Sequence, residues 1–249
     1  MKRFFALVLI VFSFFSCARA ALQTLPSDTE SVSESVPQIT PQITIDLLVI
    51  LEKDPYLYFL VDKKYPLPSN YEPDDLIPLR NAPNISYRVN RNDLSLRREA
   101  VEALEEMAAA ALREAGLTLV VSSTYRSYAY QTTVYNRYVN QYGRAQADRF
   151  SARPGHSQHQ LGTAADFGSI TNAFAETPEG RWIYNNASRF GWSLSYPQGY
   201  EEITGYMWES WHYRYVGKEL AKFIDDYFEG IQQYALEYIF RFLNQNKTS

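Results

Sequence analysis

The segment REAVEALEEMAAAALREAGLTLVVSSTYRS, residues 98–127, changes its hydrophobic period partway along, and that change sets the expected architecture. Val101, Leu104, Met107, Ala108, Ala111, Leu112 and Ala115 recur at steps of three and four, the spacing of one apolar helix face. Asp93 or Ser95 offers a cap before the run and Gly116 a stop after it, so an amphipathic helix is expected. Leu117 to Ser122 is instead apolar and β-branched, which predicts a strand delivering Ser123-Thr124-Tyr125-Arg126-Ser127 to a sheet edge.

Working outward, a second helix is expected over Tyr128 to Tyr142, stopped by Gly143. Between Phe150 and Phe167 periodicity fades and Pro, Gly, His, Ser and Gln concentrate, as in a long functional loop. Thr177-Pro178-Glu179-Gly180 opens another helix that ends near Phe190-Gly191, and Met207 to Val216 reads as an aromatic-rich strand. Upstream, Pro66, Pro68, Pro73 and Pro78 make the stretch from Tyr56 to Pro83 extended and irregular. Helices and strands follow one another without βαβ regularity. The expected class is therefore α+β, a single domain with a small, mainly antiparallel sheet flanked by helices. A C-terminal helical extension from about residue 230 is apolar on most sides (Ile231, Ala235, Leu236, Ile239, Phe240, Leu243) and needs cover, from its own domain, a second copy or a membrane surface.

At the other end, Met1-Lys2-Arg3 and the apolar run Phe4 to Phe15 fit a secretory signal over residues 1–16, too short to span a bilayer comfortably. Cys17, the only cysteine, closes that run, and Phe14-Phe15-Ser16-Cys17 resembles the lipobox of bacterial lipoproteins, with Phe14 where an aliphatic residue is usual. A lipid on Cys17 would anchor the protein to a membrane through a Ser-, Thr-, Pro-, Gln- and Glu-rich tether over residues 17–44, with the folded domain at 45–249. The alternative is an ordinary signal cut after Ala18 or Ala20. Both imply export to the periplasm or cell envelope. Composition agrees with one catalytic domain: 249 residues at 46% hydrophobic bury one good-sized core. Loss of Lys2 and Arg3 with the signal takes the net charge from −4 to about −6, unsuited to nucleic acid. The oligomeric state is not encoded legibly.

Only three histidines are present, and two lie in runs with acidic and small residues: His159 in Ser157-Gln158-His159-Gln160-Leu161-Gly162-Thr163-Ala164-Ala165-Asp166, and His212 in Trp208-Glu209-Ser210-Trp211-His212-Tyr213-Arg214. Catalytic zinc takes three protein ligands from His and Asp or Glu and keeps a fourth position open, a need that two histidines and one aspartate meet. Gly162, Ala164 and Ala165 keep bulk low between His159 and Asp166, so the chain can fold back and turn both toward one ion.

Three elements, Ser123-x-Tyr125-Arg126-Ser127-x-x-x-Gln131, Ser157-x-His159-x-x-Gly162-x-Ala164-x-Asp166 and Glu209-x-Trp211-His212-x-Arg214-Tyr215-Val216, resemble the D-alanyl-D-alanine carboxypeptidase family related to the vancomycin-resistance carboxypeptidases. That family shares its metal site with lysostaphin-type peptidases and the hedgehog signalling domain. The likeness runs in order from about Leu60 to Phe228. It implies Zn2+ on His159, Asp166 and His212, Glu209 as general base and Arg126 as stabiliser of the oxyanion. Gln131 and Ser157 match positions that hold the substrate's C-terminal carboxylate. The implied reaction removes D-alanine from peptidoglycan stem peptides at an L,D or D,D bond. A D-Ala-D-Ala dipeptidase, an endopeptidase of the same metal type and a non-catalytic zinc-stabilised wall-binding module are the alternatives.

Ser210 departs from the family, which usually has proline between Glu and Trp-His. Because Glu209 and His212 are three apart, a regular strand would separate them, so a bulge or bend is expected here. His156 matches no ligand position and is expected to be a loop hydrogen-bonding group. Arg153, Arg214 and Tyr206 are candidates for either the substrate groove or structural pairing, Tyr206 being the one carried forward as substrate-binding. Trp211 is expected to buttress His212.

Overall fold

The computed structural model describes residues 40–245. The expected signal over 1–16, Cys17 and the tether up to residue 39 lie outside the described residues. Helix α1 (Pro41–Leu51) comes first, with Pro41 in its opening turn and the Thr40 hydroxyl accepting from the Ile43 amide. The domain thus begins before Ile45. Residues 41–44, expected as tether, are helical because Ile43, with Leu47 and Ile50, is buried against the C-terminal part of the chain.

Strands β1 (Leu76–Pro78), β2 (Arg88–Val89) and β3 (Ser95–Arg97) precede helix α2 (Arg98–Ala115). Neither Asp93 nor Ser95 caps α2. Leu94 and Leu96 are both buried, a period of two that makes the segment a strand pairing with β1, and Arg97 stands at the cap position, its side chain making no capping bond to the helix. Gly116 ends α2 in the left-handed region. Then follow β4 (Val120–Ser123), α3 (Tyr128–Tyr142), capped by Ser127, and α4 (Arg144–Phe150), a seven-residue helix with no sequence signal beyond the intervening Gly143. The remaining elements are β5 (Ala164–Phe167), α5 (Pro178–Asn186), β6 (Trp192–Leu194), α6 (Glu201–Thr204), β7 (His212–Tyr215), α7 (Lys218–Phe228) and α8 (Gln232–Gln245).

The main sheet has the order β2-β4-β5-β7-β6, parallel only between β2 and β4. The apolar stripe of α2 (Val101, Leu104, Met107, Ala108) joins Val121, Phe167, Trp192 and Tyr213 in one core. A second cluster unites α1, α7 and α8, so the C-terminal helix is covered by its own domain through Ala235, Leu236 and Ile239. The architecture is the expected α+β, with the sheet's central strands β5 and β7 carrying the polar residues singled out above. Among the described residues no helix is long and apolar enough to cross a membrane.

Candidate active site

Asp166 and His212 are direct cross-strand partners on β5 and β7, so their side chains rise from one face of the sheet. His159 reaches the same place from the 3₁₀ turn Gln158–Leu161 just before β5, opened by the Ser157 hydroxyl, which accepts from the His159 amide. That turn closes through Gly162 at φ 75°, where an added Cβ would press on Pro73, Leu76 and Arg97 at 3.0–3.2 Å, so only glycine suits the reversal.

The three side chains meet. Their ligand atoms all lie within 4.8 Å of one another: Asp166 Oδ2 is 3.4 Å from His159 Nε2, and Asp166 Oδ1 is 3.2 Å from His212 Nδ1. Tetrahedral zinc with bonds of about 2.0–2.1 Å places neighbouring ligand atoms about 3.3 Å apart. The donor set fits such an ion. His159 Nε2 and Asp166 Oδ1 are buried without a hydrogen-bond partner, which is costly unless something else occupies them. The His159 ring is oriented by Nδ1, 2.7 Å from the Thr124 carbonyl just past β4; since a carbonyl only accepts, Nδ1 carries the proton and Nε2 the lone pair.

Glu209 stands beside this cluster, Oε2 3.4 Å from His212 Nδ1. The strand expected over 207–216 is confined to His212–Tyr215. Before it the chain bends, with the His212 amide donating to the Glu209 carbonyl and the Glu209 amide to Tyr196, and this bend brings both side chains to one side as their spacing required. Ser210, where the family has proline, donates its amide to Asn172 Oδ1, a bond that proline cannot make. Arg126 follows β4, its amide donating to the His159 carbonyl and its Nε buried without a partner.

Burial and the charge of Arg126 hold His159 down at about 4, keeping it a neutral ligand. Burial opposes the charged forms of Asp166 and His212 as well. The two imidazoles nonetheless hold the Asp166 carboxyl well below its usual range, and the neighbouring Asp166 and Glu209 carboxylates raise His212 above its ordinary value. Glu209 is pushed up by burial, partly offset by the neighbouring His212 ring.

The remaining candidates divide. Gln131 is 1% exposed, its amide nitrogen donating to the Ala152 carbonyl while Oε1 has no partner. Tyr206 is buried with its ring 4.9 Å from Tyr196, which in turn lies 4.7 Å from the His212 ring. His156 Nδ1 pairs with the Asp62 carbonyl, as a loop-tying residue should. Arg153 forks onto Asp148, and Arg214 is wholly buried against the carbonyls of Tyr56, Leu57 and Phe59, so both are structural. Trp211 packs on the main core, and the His212 ring lies against those of Tyr196 and His159, at 4.7 and 4.8 Å. Tyr196 and Gln158 went unnoticed in the sequence. Gln158 stands inside the histidine run, whereas nothing near Tyr196 signals its place.

Two imidazoles and a carboxylate around an open point, with a further carboxylate alongside, support metal-assisted hydrolysis, and the class so defined is metallopeptidase. Residues 93–218 match the VanY family, described as D-alanyl-D-alanine carboxypeptidase. The YodJ protein of Bacillus subtilis (strain 168) is 37% identical, over 76% of this chain and 73% of its own length. Among solved structures, the LdcB LD-carboxypeptidase is 38% identical, covering 69% of this chain and 85% of that one, with a TM-score of 0.61. A vancomycin resistance D,D-pentapeptidase VanY, solved as a Glu-to-Ala mutant in complex with Zn(II), is 30% identical over 74% of this chain and 99% of that one, with a TM-score of 0.59. The chain belongs to the VanY D-alanyl-D-alanine carboxypeptidase family.

Proposed function

We propose that the protein is a zinc carboxypeptidase that removes the C-terminal D-alanine from peptidoglycan stem peptides, with His159, Asp166 and His212 holding the ion. The observation that carries this reading is the convergence of those three buried side chains, two of their ligand atoms unpartnered, beside Glu209. Bound zinc supplies Lewis acidity to the scissile carbonyl and to water. Glu209 accepts a proton from the attacking water and returns it to the departing amine, a role that suits a buried carboxylate whose affinity for protons is raised. The Arg126 guanidinium, next to the cluster and with an unspent donor, faces the charge that develops on the carbonyl oxygen. Gln131 retains a second amide hydrogen, and Ser157 a hydroxyl hydrogen, for the substrate's terminal carboxylate.

The L,D bond of a tetrapeptide stem is the favoured substrate, supported by the higher identity to an LD-carboxypeptidase than to a D,D-pentapeptidase. Purified protein is incubated with defined tetra- and pentapeptide stems, and released D-alanine is measured with and without a chelator. The expected result is release of D-alanine from the tetrapeptide, stopped by chelation and restored by zinc. Glu209→Gln lowers kcat by about 10²–10⁴-fold while zinc binding persists. Parent-like turnover in that variant refutes the role of Glu209, and faster release from the pentapeptide replaces the L,D reading with the D,D one.

A further inference from the structure

Behind His212 a line of buried side-chain amides runs to the C-terminal helix. His212 Nε2 lies 3.2 Å from Gln158 Oε1, and the Ser195 hydroxyl donates to the same oxygen at 2.7 Å. Gln158 Nε2 donates to Gln232 Oε1 at 3.2 Å, and Gln232 Nε2 donates to the Ser193 carbonyl on β6 at 3.3 Å. Gln158, Ser195 and Gln232 are 3%, 3% and 1% exposed, so no water competes for these bonds.

The polarity of this line has one self-consistent direction. A backbone carbonyl only accepts, so Ser193 draws the amide NH2 of Gln232 and leaves its oxygen facing Gln158. That oxygen also only accepts, so Gln158 turns its own NH2 toward it and its oxygen toward His212 and Ser195. His212 Nε2 then bears the proton, and Nδ1, 3.2 Å from Asp166 Oδ1, is left to coordinate. Reversing the amides would set the Gln232 oxygen against the Ser193 oxygen, two acceptors with no solvent to relieve them. His159 is fixed independently through Thr124 and presents the opposite nitrogen.

We propose that Gln158 and Gln232 are positioning residues for the metal centre: α8, through Gln232, sets the tautomer and ring orientation with which His212 meets the ion. The proposal rests on the zinc reading above. It gives the C-terminal extension a part in the site beyond covering α1 and α7. Because Ala235, Leu236 and Ile239 anchor α8 apart from Gln232, the amide can be altered while the helix stays docked.

The test is zinc affinity, measured by competition with a chromogenic chelator on full-length parent, Gln158→Met, Gln158→Glu and Gln232→Met, with melting of the metal-free proteins as a check on folding. Gln158→Met and Gln232→Met, which keep volume but present no acceptor, bind zinc about 10–100-fold more weakly. Gln158→Glu keeps an acceptor for the Nε2 proton but sets its second oxygen against Gln232 Oε1, so it binds zinc more weakly than the parent yet more tightly than Gln158→Met, an order that a packing role would not produce. Parent-like affinity in Gln158→Met, or equal weakening in Gln158→Glu and Gln158→Met, overturns the proposal. Should Gln158→Met fail to fold, Gln232→Met decides, and parent-like affinity there removes the helix from the site. A parent that binds no zinc overturns the functional reading itself, an outcome distinct from a bound parent with indifferent variants.

Discussion

Replacing Arg214 by methionine separates a structural clamp from a groove residue. Arg214 is 0% exposed, has no acidic partner among the described residues, and donates to the carbonyls of Phe59 (2.9 Å), Tyr56 (3.0 Å) and Leu57 (3.2 Å). Burial holds its guanidinium down at about 10, the mark of a cation kept from water by packing. Methionine fills the stem's volume and strands three acceptors. The bonds to Phe59 and Tyr56 are part-buried and that to Leu57 is buried, so the loss amounts to about two fully stranded acceptors at about 1–3 kcal/mol each. Relief of the buried charge returns part of that, so the net loss is about 2–4 kcal/mol. For a domain of this size that lowers Tm by about 5–15 °C. Thermal melting and hydrolysis of a tetrapeptide stem at a temperature where the variant stays folded supply both readouts. The expected result is a lower Tm with KM unchanged. A parent-like Tm together with a raised KM would refute the clamp and return Arg214 to the substrate groove.

Asp148 gives an acid-stability signature: the Arg153 hydrogen bond, with Tyr135 adding, holds its carboxyl down at about 2. A depressed carboxylate stabilises the fold fully above its unfolded value of about 3.9 and loses that contribution as pH falls through about 2, so the Tm gap between parent and Asp148→Asn closes over that window; a gap independent of pH refutes it. Gly180→Ala destabilises by about 1–3 kcal/mol or more in urea titration, since the new Cβ would sit 1.9 Å from the Phe174 carbonyl oxygen; the helix propensity gained, about 1 kcal/mol, does not offset this, and parent-like stability contradicts the predicted clash. Cys17→Ala moves the protein from the membrane fraction to the soluble one if Cys17 carries the lipid, whereas unchanged fractionation favours the ordinary signal peptide.

Most of the catalytic constellation was legible because its chemistry is scarce. With three histidines in the chain, two of them next to Glu209, Asp166 and small residues, little else explained their placement. The helices α2 and α3 were equally readable, since an apolar stripe and a glycine stop are local properties. The start of α2 lies later than its local signals suggest for a tertiary reason: Ser95, Leu96 and Arg97 pair with β1, and no local rule distinguishes a capping Ser95 from one at the edge of a ribbon. The domain boundary shifted likewise, because Ile43 finds its apolar partners some 180 residues later, in α7 and α8.

Residue types and their order along the chain determined that this protein would be an α+β domain with two imidazoles and a carboxylate available for a metal, for those facts depend on composition and short-range period. Which nitrogen of His212 faces Asp166, that Arg214 ties down the carbonyls of Tyr56, Leu57 and Phe59, and that the last helix reaches Gln158 through Gln232 were decided only by the fold. Hydrogen-bond direction is settled by partners 37 and 74 residues away from Gln158, and no window of sequence contains them.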